Sequence, residues 1–408
     1  MPTMTWPQDA DTVQLVALAR QWVDDLNLTA VRQWKAEQPG RLAIGHLPIY
    51  APRPILEAVG VLPVAVFGGG DQVDIIRGDS YFQSYICHIP RSTIELALGG
   101  QYDCLDGMMF PSICDVIRNL SGMWRMLFPE RWSCYVDLPQ NFDAKVGGKF
   151  YVSELRRMAR ELHERGALEL TDQRLRQAIA DENRRRAVLQ RLDDLRHKEP
   201  WKVPASEVYL ISRVGGMMFA KDHADFAEAY LAAVQKRPAR ARDNVRVVMV
   251  GSFCEQPPLD LLKTLEKAGC DIVDDDLQLG MRMIDGPIPE DTDDPLAALA
   301  NAFLFQGVAC ASRYIANDVK GRQLIEKVRS SGAEGVVFSA ASFCDPALLD
   351  QPMLETALTN AGIPYTSLKF AENTGQFQVI REQAGAFSDA VKLWGEPTGT
   401  GVTTATSC

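Results

Sequence analysis

Gly335-Val336-Val337-Phe338-Ser339-Ala340-Ala341-Ser342-Phe343-Cys344-Asp345-Pro346 is the stretch whose reading decides the fold. Its first five residues centre on Val336-Val337-Phe338, two β-branched side chains and an aromatic one, the pattern of a strand covered on both faces. A turn of small residues follows, and a proline opens the helix expected over residues 346–360. Another strand (365–370) and a closing helix (376–393) complete a strand–helix–strand–helix order. The same order runs upstream, with a buried strand at 245–251, a helix at 257–268 ended by Gly269, a short strand at 272–273 and helices at 295–305 and 319–330. Such alternation implies parallel strands joined by helical crossovers.

Further toward the N-terminus a second unit of this kind is expected. Strands are predicted at 41–45, 62–68, 103–110 and 132–138, with helices at 92–99 and 115–127 and turns marked by Pro48, Pro52 and Pro54. Residues 8–37 read as helical, with Leu15, Leu18, Trp22 and Val23 spaced for one apolar face. Between the two units, helices are predicted at 153–165 and from Thr171, a suitable cap, to about 198, with Leu175, Ile179, Val188, Leu192 and Leu195 inward. Arg184, Arg185 and Arg186 are of a type that holds phosphate, but are expected to form a solvated helix face. The expected organisation is therefore an N-terminal helical segment (1–38), a first α/β domain (39–150), a helical linker or insert (151–243), a second α/β domain (244–395) and a flexible Gly/Thr-rich tail (396–408).

The 408 residues include 46% hydrophobic and 24% charged side chains with a net charge of −10, the balance of a globular protein. That composition excludes general disorder, and an acidic chain without a basic stripe is not expected to bind nucleic acid. No apolar run approaches the roughly 18 residues of a membrane span. Met1 to Ala10 lacks the basic start of a signal peptide, so a cytoplasmic location is expected. There is no G-x-x-x-x-G-K-[ST], the nearest fragment being Gly147-Gly148-Lys149-Phe150, and no G-x-G-x-x-G, C-x-x-C or H-E-x-x-H. Standard nucleotide loops, zinc ribbons and histidine metal centres are excluded with them.

Nine cysteines stand at 87, 104, 114, 134, 254, 270, 310, 344 and 408. An odd number with no secretion signal argues against a disulfide framework. Cys114, Cys254 and Cys344 each follow a predicted strand, and Cys87 precedes a predicted helix. In open α/β sheets ligands collect beyond the carboxyl ends of the strands, where helix N-termini favour a thiolate. Spacing alone leaves packing and ligation equally open for each. Cys104, Cys134 and Cys270 lie in or beside strands and read as core; Cys310 leans the same way.

The blocks Phe110-Pro111-Ser112-Ile113-Cys114-Asp115, Gly251-Ser252-Phe253-Cys254-Glu255-Gln256-Pro257-Pro258, Val273-Asp274-Asp275-Asp276 and Ser342-Phe343-Cys344-Asp345-Pro346, with Gly362-Ile363-Pro364-Tyr365 downstream, resemble the 2-hydroxyacyl-CoA dehydratase/benzoyl-CoA reductase family. The resemblance runs from about Leu42 to Trp394, and is greatest to the C-type cluster-bearing subunit of its ATP-dependent (class I) branch. It implies two flavodoxin-like domains with a [4Fe-4S] cluster between them. The positions matching its three ligands are Cys87, Cys114 and Cys344, which leaves Cys254 a neighbour. It further implies a homologous cluster-bearing subunit and an ATPase pair with its own cluster as partners. ATP and Mg would sit on that pair, and reduced ferredoxin would supply electrons. The implied reaction is two-electron reduction of a benzoyl-CoA thioester to cyclohexa-1,5-diene-1-carbonyl-CoA, one electron at a time.

A dehydratase subunit using the same ketyl chemistry is the alternative, and a two-lobed binding module without redox activity is one of another class. A structural zinc at the three cysteines is disfavoured because such sites want four closed ligands. His88 adjoins a candidate ligand and is the candidate donor of a proton to the substrate or of a hydrogen bond to cluster sulfur. Asp274, Asp275 and Asp276 are expected to cap and solvate a loop rather than bind metal. Glu372, Asn373 and Gln376 are expected near the cleft, and Ser342 beside the cluster loop.

Overall fold

The computed structural model describes residues 4–313, 319–371 and 377–394. Glu372, Asn373, Gln376 and the expected 396–408 tail lie outside these residues. Among the described residues eight strands form two four-stranded sheets, parallel throughout. The first holds β1 (Ala43–His46), β2 (Leu62–Ala65), β3 (Gly107–Pro111) and β4 (Trp132–Val136) in the order β2-β1-β3-β4. The second holds β5 (Val245–Val250), β6 (Cys270–Asp275), β7 (Gly335–Ala341) and β8 (Tyr365–Phe370) in the order β6-β5-β7-β8.

Both orders are flavodoxin-like. Each sheet reverses its direction of winding between its first and third strands, which opens a crevice beyond their carboxyl ends. The strands are short, and the inner ones are covered on both faces, whereas the edge strand β8 is largely half-buried. All five residues of β3 and all seven of β7 are buried, because helices pack on both faces of a parallel sheet. Cys134 in β4 and Cys270 in β6 are core residues, as expected, with 1% and 0% exposure.

Helices Lys149–His163, Asp172–Lys198, Ala205–Val214 and Ala220–Gln235 lie between the sheets in sequence. Thr171 caps the second, its hydroxyl accepting from Arg174 N at 3.3 Å. The 27-residue helix then runs past both halves. Its Asn183 donates to Ile288 O at 2.8 Å, and its Arg196 pairs with Asp275 of β6 at 2.5 Å.

Two charge expectations are corrected here. Arg184 does face solvent, paired with Asp225, but Arg185 is 2% exposed, paired with Glu182 and donating to Met281 Sδ at 2.5 Å. Arg186 donates to Asn183 Oδ1 at 2.5 Å. The aspartate run is likewise not a solvated loop. Asp274 pairs with Lys327 at 2.8 Å and His197 at 3.1 Å, while Asp275 pairs with Arg196 and Arg282 at 2.5 Å each. The cations beside these two carboxylates hold both below the ordinary range against the opposing effect of burial. The run spans the end of β6, and its cationic partners come from the long helix, from the short helix Leu279–Arg282 and from helix Arg322–Ser331.

Candidate functional site

Three helices begin on a cysteine. Cys87 is the N-cap of His88–Leu98, Cys114 of Asp115–Leu127 directly after β3, and Cys344 of Asp345–Asn360 directly after β7. The first N–H groups of a helix have no partner within it, and the aligned peptide dipoles favour negative charge there. None of the three thiols closes a full capping hydrogen bond. The N–H groups of Val116 and Ile117 nonetheless pull the pKa of Cys114 down, and that of Ala347 does so for Cys344. Burial outweighs them, so Cys114 ends above the ordinary value and Cys344 is pushed up to about 12.

The thiols also act on one another. Cys87 is raised first by burial and then by the charges of Glu255, Cys344 and Cys114. Cys254, in the loop after β5, is raised by burial and then by Cys344, Cys114 and Cys87. Thus the carboxyl-terminal ends of both sheets contribute to one group of four thiols, at the crevices the strand orders create. Cys254, expected only beside the site, is the fourth. All described cysteines are free thiols. Among the described residues no three His, Cys, Asp or Glu side chains are spaced to hold a single metal ion.

The loop that carries Cys254 is fixed by buried polar contacts. Asp276 accepts from Gly251 N at 2.7 Å and Ser252 N at 3.1 Å, and burial raises its pKa to about 6. Ser252 Oγ donates to Ser339 O of β7 at 2.5 Å, tying the two central strand ends together. Gly251 is needed here: its φ is +108°, and a Cβ would stand 3.1 Å from Ser339 O. Gln256 donates to the carbonyls of Ser252 and Cys254, and accepts from Gln278. Sequence reasoning gives Gln256 and Gln278 no role; no motif marks the pair, whose two members stand 22 residues apart.

His88 occupies the first turn after Cys87, 4% exposed, and its backbone N–H donates to Glu255 Oε2 at 3.1 Å. This contact joins the first half's cysteine helix to the second half's cysteine loop. Burial, helped by Arg91, lowers the pKa of its ring to about 4, so the imidazole is neutral at neutral pH. Ser342 donates its backbone N–H to Phe370 O at 2.8 Å, which closes the turn before Cys344.

Two bulky residues in the left-handed region flank the group. Phe343 precedes Cys344 at φ +65°, with half its surface exposed, and Tyr50 follows β1 at φ +63°. Such backbone costs a residue of this size about 1–3 kcal/mol and is held only where surroundings fix it. Tyr50 is fixed by its ring, edge-on to Phe303 at 5.8 Å, and by its hydroxyl, 2.7 Å from Cys310 Sγ. Cys310, Gly251 and Phe253 line a cavity of about 1050 Å³ that the long helix Asp172–Lys198 borders on its other side.

Residues 48–391 match the family described as 2-hydroxyglutaryl-CoA dehydratase, D-component. The chain is 47% identical over 384 residues to the C subunit of benzoyl-CoA reductase from Thauera aromatica, covering 94% of this chain and 99% of that one. It is 27% identical over 355 residues to the (R)-phenyllactyl-CoA dehydratase beta subunit of Clostridium sporogenes, covering 87% and 93%. It is also 27% identical over 366 residues to the beta subunit of (R)-2-hydroxyglutaryl-CoA dehydratase from Acidaminococcus fermentans, covering 89% and 95%. With paired flavodoxin-like sheets and this extent of match, the chain belongs to the 2-hydroxyacyl-CoA dehydratase/benzoyl-CoA reductase family.

Proposed function

We propose that this chain is a cluster-bearing subunit of an ATP-dependent benzoyl-CoA reductase, an oxidoreductase, in which Cys87, Cys114 and Cys344 hold a [4Fe-4S] cluster. The observation that carries the reading is that three helix starts from two sheets are capped by cysteines whose thiols are near enough to act on one another's charge. The donor set fits the group: soft thiolates suit iron–sulfur clusters, and three of them leave one iron open. When bound, the cluster supplies one-electron chemistry at low potential.

The chain's own residues supply the rest. Burial of Cys344 and Cys254, each 8% exposed, excludes water and favours low potential. The N–H groups of Val116, Ile117 and Ala347 stabilise negative charge on sulfur. His88, beside Cys87, is the candidate donor to a cluster sulfur or to the reduced substrate, and Cys254 is a neighbour of the ligand set. The cavity beside Phe253 has room for an acyl thioester.

The setting of the reading is the cytoplasm, with a homologous cluster-bearing subunit, an ATPase pair holding ATP, Mg and its own cluster, and reduced ferredoxin as donor. No described helix is long and apolar enough to cross a membrane. The second reading, removal of water from a 2-hydroxyacyl-CoA, is favoured by the match to two dehydratase beta subunits over most of their length.

Iron, acid-labile sulfide and zinc measured after strictly anaerobic purification test the proposal. About four iron and four sulfide per chain are expected, and acyl-CoA assays with the co-purified partners then separate reductase from dehydratase. Zinc instead, or no metal despite exclusion of oxygen, would overturn it.

A further inference from the structure

Reduction of an aromatic thioester consumes a proton for each electron, so a donor must face the substrate. The cavity of about 1050 Å³ reaches the cysteine loops through Gly251, Phe253 and Ala347, the last lying three residues after Cys344. Its wall on that side carries Cys310 and Arg313. Cys310 is partly exposed, whereas Cys134 and Cys270 are sealed in the sheets. Its sulfur is 2.7 Å from the Tyr50 hydroxyl, which the first sheet supplies from the end of β1. Tyr50 lies in the left-handed region, which few bulky residues adopt, and is 3% exposed. Two halves of the protein thus meet at a thiol–phenol pair on the cavity wall, close enough to the thiol group for Tyr50 to sense the charge of Cys254.

We propose that Cys310, rather than His88, which does not line this cavity, gives a proton to the acyl-CoA substrate here, and that Tyr50 positions it. The proposal rests on the reductase reading above. One electron, drawn ultimately from the partner ATPase pair as the low-potential iron–sulfur donor, reaches the thioester and gives its radical anion. The S–H bond of Cys310 breaks and a bond from that proton to the anion forms, leaving a neutral radical and a thiolate. The thiolate is left facing the Tyr50 O–H, the Ser312 N–H and the Arg313 guanidinium, all of which favour its charge. Water in the cavity restores the proton before the second electron. Burial keeps the thiol above its ordinary pKa, so the proton is in place at neutral pH.

The test uses the anaerobically purified complex with Cys310→Ala and Tyr50→Phe. Cys310→Ala is expected to lower product formation by about 100-fold or more, the usual worth of a general acid, with iron content unchanged and ATP consumption continuing. Tyr50→Phe is expected to keep iron and fold while shifting the alkaline limb of the pH–rate profile upward. A second readout needs no turnover. Alkylation by iodoacetamide, mapped by mass spectrometry, should label Cys310 far ahead of Cys134 and Cys270, be blocked by benzoyl-CoA, and slow in Tyr50→Phe. Near wild-type product formation by Cys310→Ala, or alkylation of Cys310 indifferent to benzoyl-CoA and to Tyr50→Phe, would overturn the assignment. A wild-type chain without iron would instead overturn the reductase reading, while the alkylation pattern would still report the pair.

Discussion

On the proposed cluster reading, serine in place of Cys114 should do two things that are normally opposed: remove a ligand and strengthen the empty chain. Cys114 caps helix Asp115–Leu127 from φ −157° and ψ 172°, the extended conformation a serine cap adopts. The N–H groups of Val116 and Ile117, at the second and third helical positions, already face its sulfur. A hydroxyl is a better acceptor for them than a thiol. Good caps are worth about 0.5–2 kcal/mol over none, so Cys114→Ser should gain about 0.5–1 kcal/mol in the metal-free chain. Cys134→Ser is the opposite case. That sulfur is 1% exposed in β4, with Tyr135 O at 3.7 Å and Arg157 Nη2 at 3.8 Å, both too far for a hydrogen bond to a serine hydroxyl, and burying that hydroxyl costs about 1–3 kcal/mol. Urea unfolding of reduced, chelator-stripped protein gives the stabilities, and iron analysis of anaerobic preparations gives the loading. The expected result crosses over, with Cys114→Ser losing iron and gaining stability and Cys134→Ser keeping iron and losing stability. A Cys114→Ser chain that retains its iron, or is weakened as much as Cys134→Ser, would refute the reasoning.

His46 and His223, both fully buried, are held neutral with pKa values lowered to about 3 by burial and nearby arginines. Below pH 6.5 the unfolded chain takes up protons that the folded one refuses, so each costs about 2 kcal/mol of stability by pH 5. Glu57, raised to about 7 by burial, acts in the other direction between pH 7 and 4.5, so the readout is a difference between proteins. His46→Asn and His223→Gln, which keep the bonds to Leu47 O and Ile211 O, should each remove about that much acid sensitivity in urea titrations at pH 7 and 5. Among glycines, Gly280→Ala would set a Cβ 1.7 Å from Pro48 O, a backbone atom, and should lose about 1–3 kcal/mol or more by thermal unfolding. Gly122→Ala, inside helix Asp115–Leu127 with nothing within 4 Å, should gain about 0.5–1 kcal/mol.

How much of the molecule is legible depends on whether the signal is local. The strand over Gly335–Ala341 and the helix after Cys344 are written in adjacent residues, and the structure moves their edges by only one or two positions. Cys114 and Cys344 as helix starts follow from the same local order. Ile272–Val273 is too short a reading of β6 because its acidic end, Asp274 and Asp275, is charged sequence that becomes buried only through Arg196, Arg282 and Lys327. Arg185 misleads for the same reason: its cover, Met281, lies 96 residues on. Helix Arg53–Ala58, full of buried residues yet only six long, carries too few turns for a periodic pattern. The Tyr50–Cys310 pair spans 260 residues, and nothing local hints at it.

Helices that start on thiols are helices with weak ends. A hydroxyl or carboxylate secures such a start by itself, whereas Cys87, Cys114 and Cys344 make no full capping bond and wait for something that engages their sulfur. All three weak ends belong to the one thiol group, so on the proposed cluster reading a subunit emptied of iron should open first there, far below the cost of global unfolding. A protease finds chains through such openings in proportion to how often they occur. If the proposed cluster is what fills this site, metal scarcity would be felt as turnover, with unfilled copies cleared faster than filled ones.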